Sequence, residues 1–250
     1  MDKLIITRDQ TTLIVQLNRP HRRNAINRAT ADALGEVWRM FDADDALRVG
    51  IFTGGDDVFC AGADLKEIDG LDFRHVDGPL GCARLMLKKP VIAAIAGYAV
   101  AGGLELACWC DFRIVDESAI FGCFERRFGV PLVDGGTQRL PQIVGLGRAL
   151  ELILTGRPVS ATEALAMGLA NEIVPRGQHL TRAMEIAGQL ASFPQSCMNN
   201  DRLSVYAGLG QPLTEGLKIE EHYGGLTMDS GEATHGAQSF TEGKGRGGEF

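Results

Sequence analysis

Gly97-Tyr98-Ala99-Val100-Ala101-Gly102-Gly103-Leu104-Glu105-Leu106-Ala107 is the stretch in which the chain passes from strand to helix. The run before it, Val91 to Ala96, is apolar without alternation, the pattern of a strand buried on both faces. Ala101-Gly102-Gly103 then opens an apolar helix from Leu104 to Cys110. The N–H groups of such a turn point outward at the positive end of a helix dipole, and small residues let a ligand approach them closely. Strand, glycine turn and helix in direct succession place this chain among α/β proteins.

The same alternation extends to either side. Leu13 to Asn18 reads as a short strand closed by Asn18-Arg19-Pro20. Asn27 reads as the cap of a helix whose apolar positions Ala33, Leu34, Val37, Trp38 and Phe41 recur at three and four. Val49 to Thr53 is a second strand, followed by the turn Ala61-Gly62-Ala63-Asp64 and an irregular polar stretch to about Gly81. Beyond the central segment, Phe112 to Val115 and Ala119 to Phe124 are expected strands. Helices are expected near Leu146–Leu154, Ala161–Met167, Thr181–Phe193 and Ser196–Leu209, and Ser160-Ala161-Thr162-Glu163 is a capping box for the second of these. No linker or internal repeat divides the chain.

With 250 residues, 45% of them hydrophobic and 23% charged, the chain is long enough for a sizeable core. A net charge of -7 argues against a nucleic-acid binder held by a basic face, and the Arg-Gly-Gly flavour of the tail, Glu242 to Gly248, does not outweigh it; that tail reads as a flexible end. No apolar run approaches the ~20 residues of a membrane span, and Met1 to Arg8 lacks a signal peptide's apolar stretch. A cytoplasmic protein is expected, without membrane or nucleic-acid partner. Glycine, at 32 residues, is close to twice its ordinary ~7% share, which implies many tight turns and close backbone approaches. The six cysteines form no C-x-x-C pair and read as reduced, buried small hydrophobes.

Phosphate-loop, dinucleotide-fingerprint, serine-hydrolase and zinc-protease motifs are all absent, and the five histidines stand in no triad or ligand pattern. What remains is two glycine-rich turns and two misplaced acids. If the turns at Ala61–Asp64 and Ala101–Gly103 faced each other, they would offer two amide donors to one oxygen. Glu105 lies in an otherwise apolar helical turn, and Glu125 ends the apolar run Phe121-Gly122-Cys123-Phe124. An acid in apolar surroundings has a raised pKa, which suits a proton carrier near neutrality. A favourable first-turn acid for Glu105, and an ion-pair partner of Arg126 for Glu125, explain the same residues without catalysis.

Taken in order, these segments resemble the crotonase (enoyl-CoA hydratase/isomerase) superfamily over roughly Leu13 to Gly236. The resemblance rests on Leu17-Asn18-Arg19-Pro20 with Asn24-Ala25-Ile26-Asn27, Phe59 to Glu67, and Gly97 to Ala107. It continues through Gly135-Gly136-Thr137-Gln138-Arg139-Leu140-Pro141, Leu154 to Arg157, Ala164 to Ala170 and Glu172 to Pro175. It implies a spiral of β-β-α units with a helical C-terminal region: a core with the CoA-ester site over 1–195, and a C-terminal trimerisation region over 196–250. It further implies a homotrimer or a dimer of trimers. The oxyanion-hole amides fall on Ala63 and Gly102, and the hydratase acids on Glu105 and Glu125. The CoA arm falls along Arg22, Arg23, Ala61, Asp64 and Leu65. The implied reaction is reversible hydration of a 2-enoyl-CoA, with isomerisation, or acyl-CoA binding without catalysis, as the alternatives. Coenzyme A enters as part of the substrate, and no metal or other cofactor is implied.

The chain departs from the family at Phe124, which replaces a proline before the second glutamate, and in the continuation Arg126-Arg127-Phe128-Gly129-Val130-Pro131-Leu132-Val133-Asp134. There Arg126 is expected to pair with Glu125 and lower its pKa. Asp134 adds a third carboxylate near the acyl pocket, of the kind that supports double-bond isomerisation in other members.

Overall fold

The computed structural model describes residues 3–243; the tail read as flexible lies outside them from Lys244 onward. Contacts divide the chain after Leu190 into two compact units.

The first unit is built on two sheets. The larger has the order β1-β2-β3-β4-β6-β9, from β1 (Leu4–Asp9), β2 (Thr12–Leu17), β3 (Val49–Thr53), β4 (Val91–Ile95), β6 (Phe112–Asp116) and β9 (Glu172–Val174). Only β1 runs antiparallel to its neighbour; the other pairs are parallel. The smaller sheet orders β5 (Tyr98–Val100), β7 (Ile120–Gly122) and β8 (Val159–Ser160). Chain order therefore alternates between sheets. β4 is followed by β5 and then helix α2 (Gly102–Trp109), and β6 by β7 and a short 3-10 helix at Phe124–Phe128. The segment after β3 joins the same layer through bridges Val58↔Gly97, Cys60↔Ala99 and Ile26↔Ala63. Each turn of the spiral thus lays one strand in each sheet before the chain crosses over.

Local sequence explains most of these elements. α1 (Arg28–Ala43) begins where the Asn27 side chain accepts a hydrogen bond from the Thr30 N–H, and its apolar face carries Leu34, Trp38 and Phe41 into the core. All five residues of β4 are buried, as the absence of alternation requires. Trp38 packs edge-on against Phe41, Phe52 and Trp109, joining α1, β3 and α2 in one aromatic cluster. α3 (Gly136–Val144), α4 (Leu146–Thr155), α5 (Ala161–Ala166) and α6 (His179–Ser192) follow, with the Ser160 side chain accepting the N–H of Glu163 to cap α5.

Among the elements that differ from the sequence reading, three have a clear local cause. The strand expected over Ala119–Phe124 is only three residues long. The Phe124 ring folds back to where a Gly122 side chain would stand, and the chain coils into the 3-10 helix. β1 was not legible because only Leu4 of its six residues is buried. α3 was masked by Pro141 in its interior.

The second unit contains α7 (Gln195–Gly208), α8 (Leu213–Asp229) and α9 (Glu232–Thr241). α7 and α8 pack together, and the Glu232 carboxylate accepts the Ser196 and Cys197 amides at the start of α7. None of the described helices is long and apolar enough to cross a membrane.

Candidate active site

The two glycine turns face each other. A Cβ placed on Gly62 would stand 2.7 Å from Gly102 N, and one placed on Gly102 would stand 3.7 Å from Ala63 N. Only glycine permits this approach at position 62, where φ is +88°. Around Ala63 the neighbouring backbone groups are occupied. The Ala61 N–H donates to Arg23 O, Ile26 N–H to Gly62 O, and Asp64 N–H to Ile26 O. The Asp64 carboxylate holds Arg19 at 3.0 Å, and Arg19 also donates to the Ala25 carbonyl and to Glu67. Ala63 N–H itself has no hydrogen-bond partner among the described residues, and neither does Gly102 N–H, the first of α2. Backbone donors in a fold are seldom left unpaired, so two adjacent free ones mark a site prepared for an acceptor.

Ala101, which leads into α2, holds φ 53° and ψ -129°, a conformation that an alanine adopts only under strain. The Cys60 thiol beneath the other turn accepts the Gly62 N–H and donates to Asn24 O. Burial pushes its pKa up to about 12, so it acts as a structural bridge rather than a nucleophile. Cys82, Cys108, Cys110 and Cys123 are likewise buried and free, whereas Cys197 is exposed.

Both suspected acids are buried. Glu105, one turn into α2, is 2% exposed, and its Oε1 accepts the N–H of Asp134 at 2.9 Å and of Gly136 at 2.8 Å. Burial, then the charge of Asp134, push its pKa up to about 8 against the lowering pull of those two amides. Glu125 is 5% exposed, and neither carboxylate oxygen has a hydrogen-bond partner of sound geometry. Burial raises its pKa; its own amide and Arg126 act in the opposite direction and do not prevail. The expected Arg126–Glu125 ion pair does not form. The Arg126 side chain is exposed and donates from Nε to the Ile153 carbonyl of α4 instead, because the 3-10 turn directs consecutive side chains apart.

These groups line one cavity of about 430 Å³. Glu105, Glu125, Ala63 and Gly102 all face it, together with Arg23, Ala61 and Leu65. Asp134 is the third carboxylate on its wall, 3% exposed, with its pKa raised to about 6 by burial. Arg22 and Asp64 do not line it: Arg22 lies in the short 3-10 turn at Pro20–Arg22, and the Asp64 carboxylate is turned into the Arg19 network. Phe124 and Phe128, which belong to the segment where the chain departs from the family, also line the cavity. So do residues that the sequence did not mark as site residues, among them Phe73, Leu80 and Tyr98. Leu80, isolated between Pro79 and Gly81 in an irregular stretch, carried no signal. Two free amides and two buried carboxyls of raised pKa lining one apolar cavity can stabilise an oxyanion while a proton is moved nearby.

Comparison with known proteins agrees with this arrangement. The sequence profile of the family described as enoyl-CoA hydratase/isomerase matches residues 7–246. A probable enoyl-CoA hydratase of Rhizobium meliloti (strain 1021) is 40% identical over 213 residues, covering 83% of this chain and 82% of the relative. The mitochondrial enoyl-CoA hydratase of Pongo abelii is 35% identical over 239 residues, covering 94% and 82%. A crystal structure of enoyl-CoA hydratase from Bacillus anthracis superposes with a TM-score of 0.89 at 35% identity over 96% of each chain.

Proposed function

Because this chain belongs to the enoyl-CoA hydratase/isomerase family, we propose that it is a hydratase that adds water reversibly across the C2–C3 double bond of a 2-enoyl-CoA. The observation that carries the reading is that two unsatisfied amides, Ala63 and Gly102, and two buried acids, Glu105 and Glu125, line one cavity.

In this reading the thioester carbonyl oxygen accepts both amides, which polarises the double bond and stabilises the enolate that forms when water attacks C3. One such donor is worth about 3–4 kcal/mol of transition-state stabilisation. One glutamate takes the proton of the attacking water, and the other delivers a proton to C2. Burial raises the pKa of both acids, that of Glu105 to about 8, which suits groups that give or take a proton in either direction of the reaction. Water and the thioester balance the reaction, and coenzyme A enters only as part of the substrate. Arg23, Ala61 and Leu65, which line the same cavity as Ala63, would receive the CoA arm, with Arg22 and the Asp64 segment beside them in sequence.

A second reading, migration of the double bond, is favoured by one observation, a third carboxylate residue, Asp134, lining the same cavity. We also propose a homotrimer or dimer of trimers with the C-terminal helices in the contacts. Val205, Leu213 and Leu217 on α7 and α8 are 65%, 78% and 51% exposed, which supports that use. Cytoplasmic residence is part of the same proposal, checked by cell fractionation.

The decisive experiment follows the loss of enoyl absorbance when the protein meets crotonyl-CoA, beside the Glu125→Gln variant. Rapid loss that falls by about 10²-fold or more in the variant supports the two-acid hydratase. Absence of turnover with crotonyl-CoA and with a panel of longer and branched 2-enoyl-CoAs, despite measurable binding of the esters, refutes it. In that case 3-enoyl-CoA isomerisation, with Asp134→Asn as the diagnostic variant, separates an isomerase from a non-catalytic binder.

A further inference from the structure

Asp134 touches both halves of the site through different atoms. Its backbone N–H donates to Glu105 Oε1 at 2.9 Å, and its carboxylate Oδ1 accepts the Leu80 N–H at 3.1 Å. Leu80 is buried, and its Cδ1 stands 2.5 Å from where a Gly102 side chain would begin, so it lies directly against the amide turn. Two further hydrogen bonds fasten the same pair of segments. Arg84 Nη2 donates to Val133 O at 2.9 Å, and Arg139 Nη2 donates to Ala83 O at 2.7 Å while its Nη1 holds Asp134 O. The Leu80–Asp134 bond is the buried member of this set.

We infer that Asp134 is a positioning residue for the reaction proposed above: its amide fixes Glu105, and its carboxylate holds Leu80 over the Gly102 turn, so that the acid–base and oxyanion halves keep one spacing. The inference rests on the hydratase reading but can fail separately from it. The carboxylate also acts on Glu105 through space, as the second-largest cause, after burial, of that residue's raised pKa. The groups facing Asp134 are Glu105 from α2, Arg139 from α3, Arg84 from the Leu80 segment, and the Cys60 and Cys82 thiols. Glu125 from the 3-10 helix shares the cavity wall.

Two variants separate the two contributions. Asp134→Asn keeps an acceptor for the Leu80 N–H but removes the charge. Asp134→Ala removes both. In Asp134→Asn, the high-pH loss of crotonyl-CoA hydration, which marks the loss of the Glu105 proton, is expected to move down by about half to one pH unit. Turnover at the new optimum is expected within tenfold of wild type. In Asp134→Ala, kcat is expected to fall at least another tenfold, with a smaller change in KM.

A substrate-free readout accompanies these measurements: 13C NMR titration of enzyme carrying δ-13C-labelled glutamate, with Glu105→Gln identifying the resonance. The Glu105 midpoint is expected to fall in Asp134→Asn whether or not the enzyme turns over crotonyl-CoA. If it does so in a protein that hydrates no 2-enoyl-CoA, the coupling of Asp134 to Glu105 stands and the hydratase reading falls. If Asp134→Ala does not fold, Asp134→Ser, whose shorter side chain withdraws the acceptor from the Leu80 N–H, takes its place in the kcat comparison. An unchanged Glu105 midpoint overturns the inference, and so does kcat within twofold of wild type in both variants. Complete loss of hydration in folded Asp134→Asn at every pH also overturns it, because Asp134 would then be a reacting group.

Discussion

Replacing Gly62 with alanine tests whether the approach of the two turns matters for catalysis. The new Cβ would meet Gly102 N at 2.7 Å and Ala101 Cβ at 3.0 Å. Neither is the tip of a flexible side chain that can swing away. Restoring an ordinary contact of about 3.4 Å requires the turns to part by roughly 0.7 Å, enough to take one of the two amides out of hydrogen-bond reach of a shared oxygen. Loss of one such donor reduces kcat by about 10²–10³. The left-handed φ of +88° adds strain of about 1–2 kcal/mol for a residue with a Cβ, equivalent to a fall in Tm of roughly 2–8 °C in a chain of this size. The assay is crotonyl-CoA hydration at 25 °C, with Tm measured alongside. Gly147→Ala is the control, since it lies in α4 with nothing within 4 Å of its Cβ position. It is expected to leave kcat unchanged and raise Tm slightly. Gly62→Ala with kcat within threefold of wild type, at a lowered Tm, would falsify the assignment of these turns as the oxyanion site.

Three other outcomes follow from the same geometry. Glu105 has a folded pKa of about 8 against an ordinary 4.5, so its neutral form favours the fold; that contribution is complete below pH 4.5 and is lost as pH rises to about 8. Glu105→Gln should therefore flatten the decline of Tm between pH 5 and 9, and an unaltered decline would contradict the buried-acid assignment. Ala101→Gly relieves a backbone strain of about 1–3 kcal/mol and loses about 0.4–1 kcal/mol through the unfolded chain, so the urea midpoint should rise; a fall would show the turn to be unstrained. Arg19→Met leaves the Asp64 carboxylate, only 5% exposed, without its ion partner and should destabilise by about 3–5 kcal/mol. Adding Asp64→Asn should recover part of that loss, and strictly additive effects in the double variant would count against a direct pair.

Much of this architecture was legible because its causes are local. The Asn27 and Ser160 caps act within three residues, and their helices begin where the caps require. The unalternating apolar run at Val91–Ile95 became a strand with no exposed face. Glu105 and Glu125 stood out because each interrupts an apolar pattern, and that interruption is the origin of their raised pKa values. The family resemblance, carried by ordered segments along most of the chain, supplied the CoA ester that no local pattern contains.

Other features depended on where distant segments meet. β1 exposes five of its six residues and is a strand only because β2 lies beside it. Arg126 follows Glu125 in sequence yet bonds to Ile153, since a 3-10 turn, rather than a strand, sets the direction of its side chain. Leu80 joined the site through a hydrogen bond to a residue 54 positions later. The α/β class, the two glycine turns and the two acids could be read from the residues alone, because residue size, polarity and periodicity act over a few positions. That the turns face each other, that Asp134 joins Glu105 to Leu80, and that Arg126 is directed away from Glu125 emerged with the folded chain. Hydrogen bonds and van der Waals contacts act over a few ångströms in space, and the spiral alone determines which distant residues come within that range.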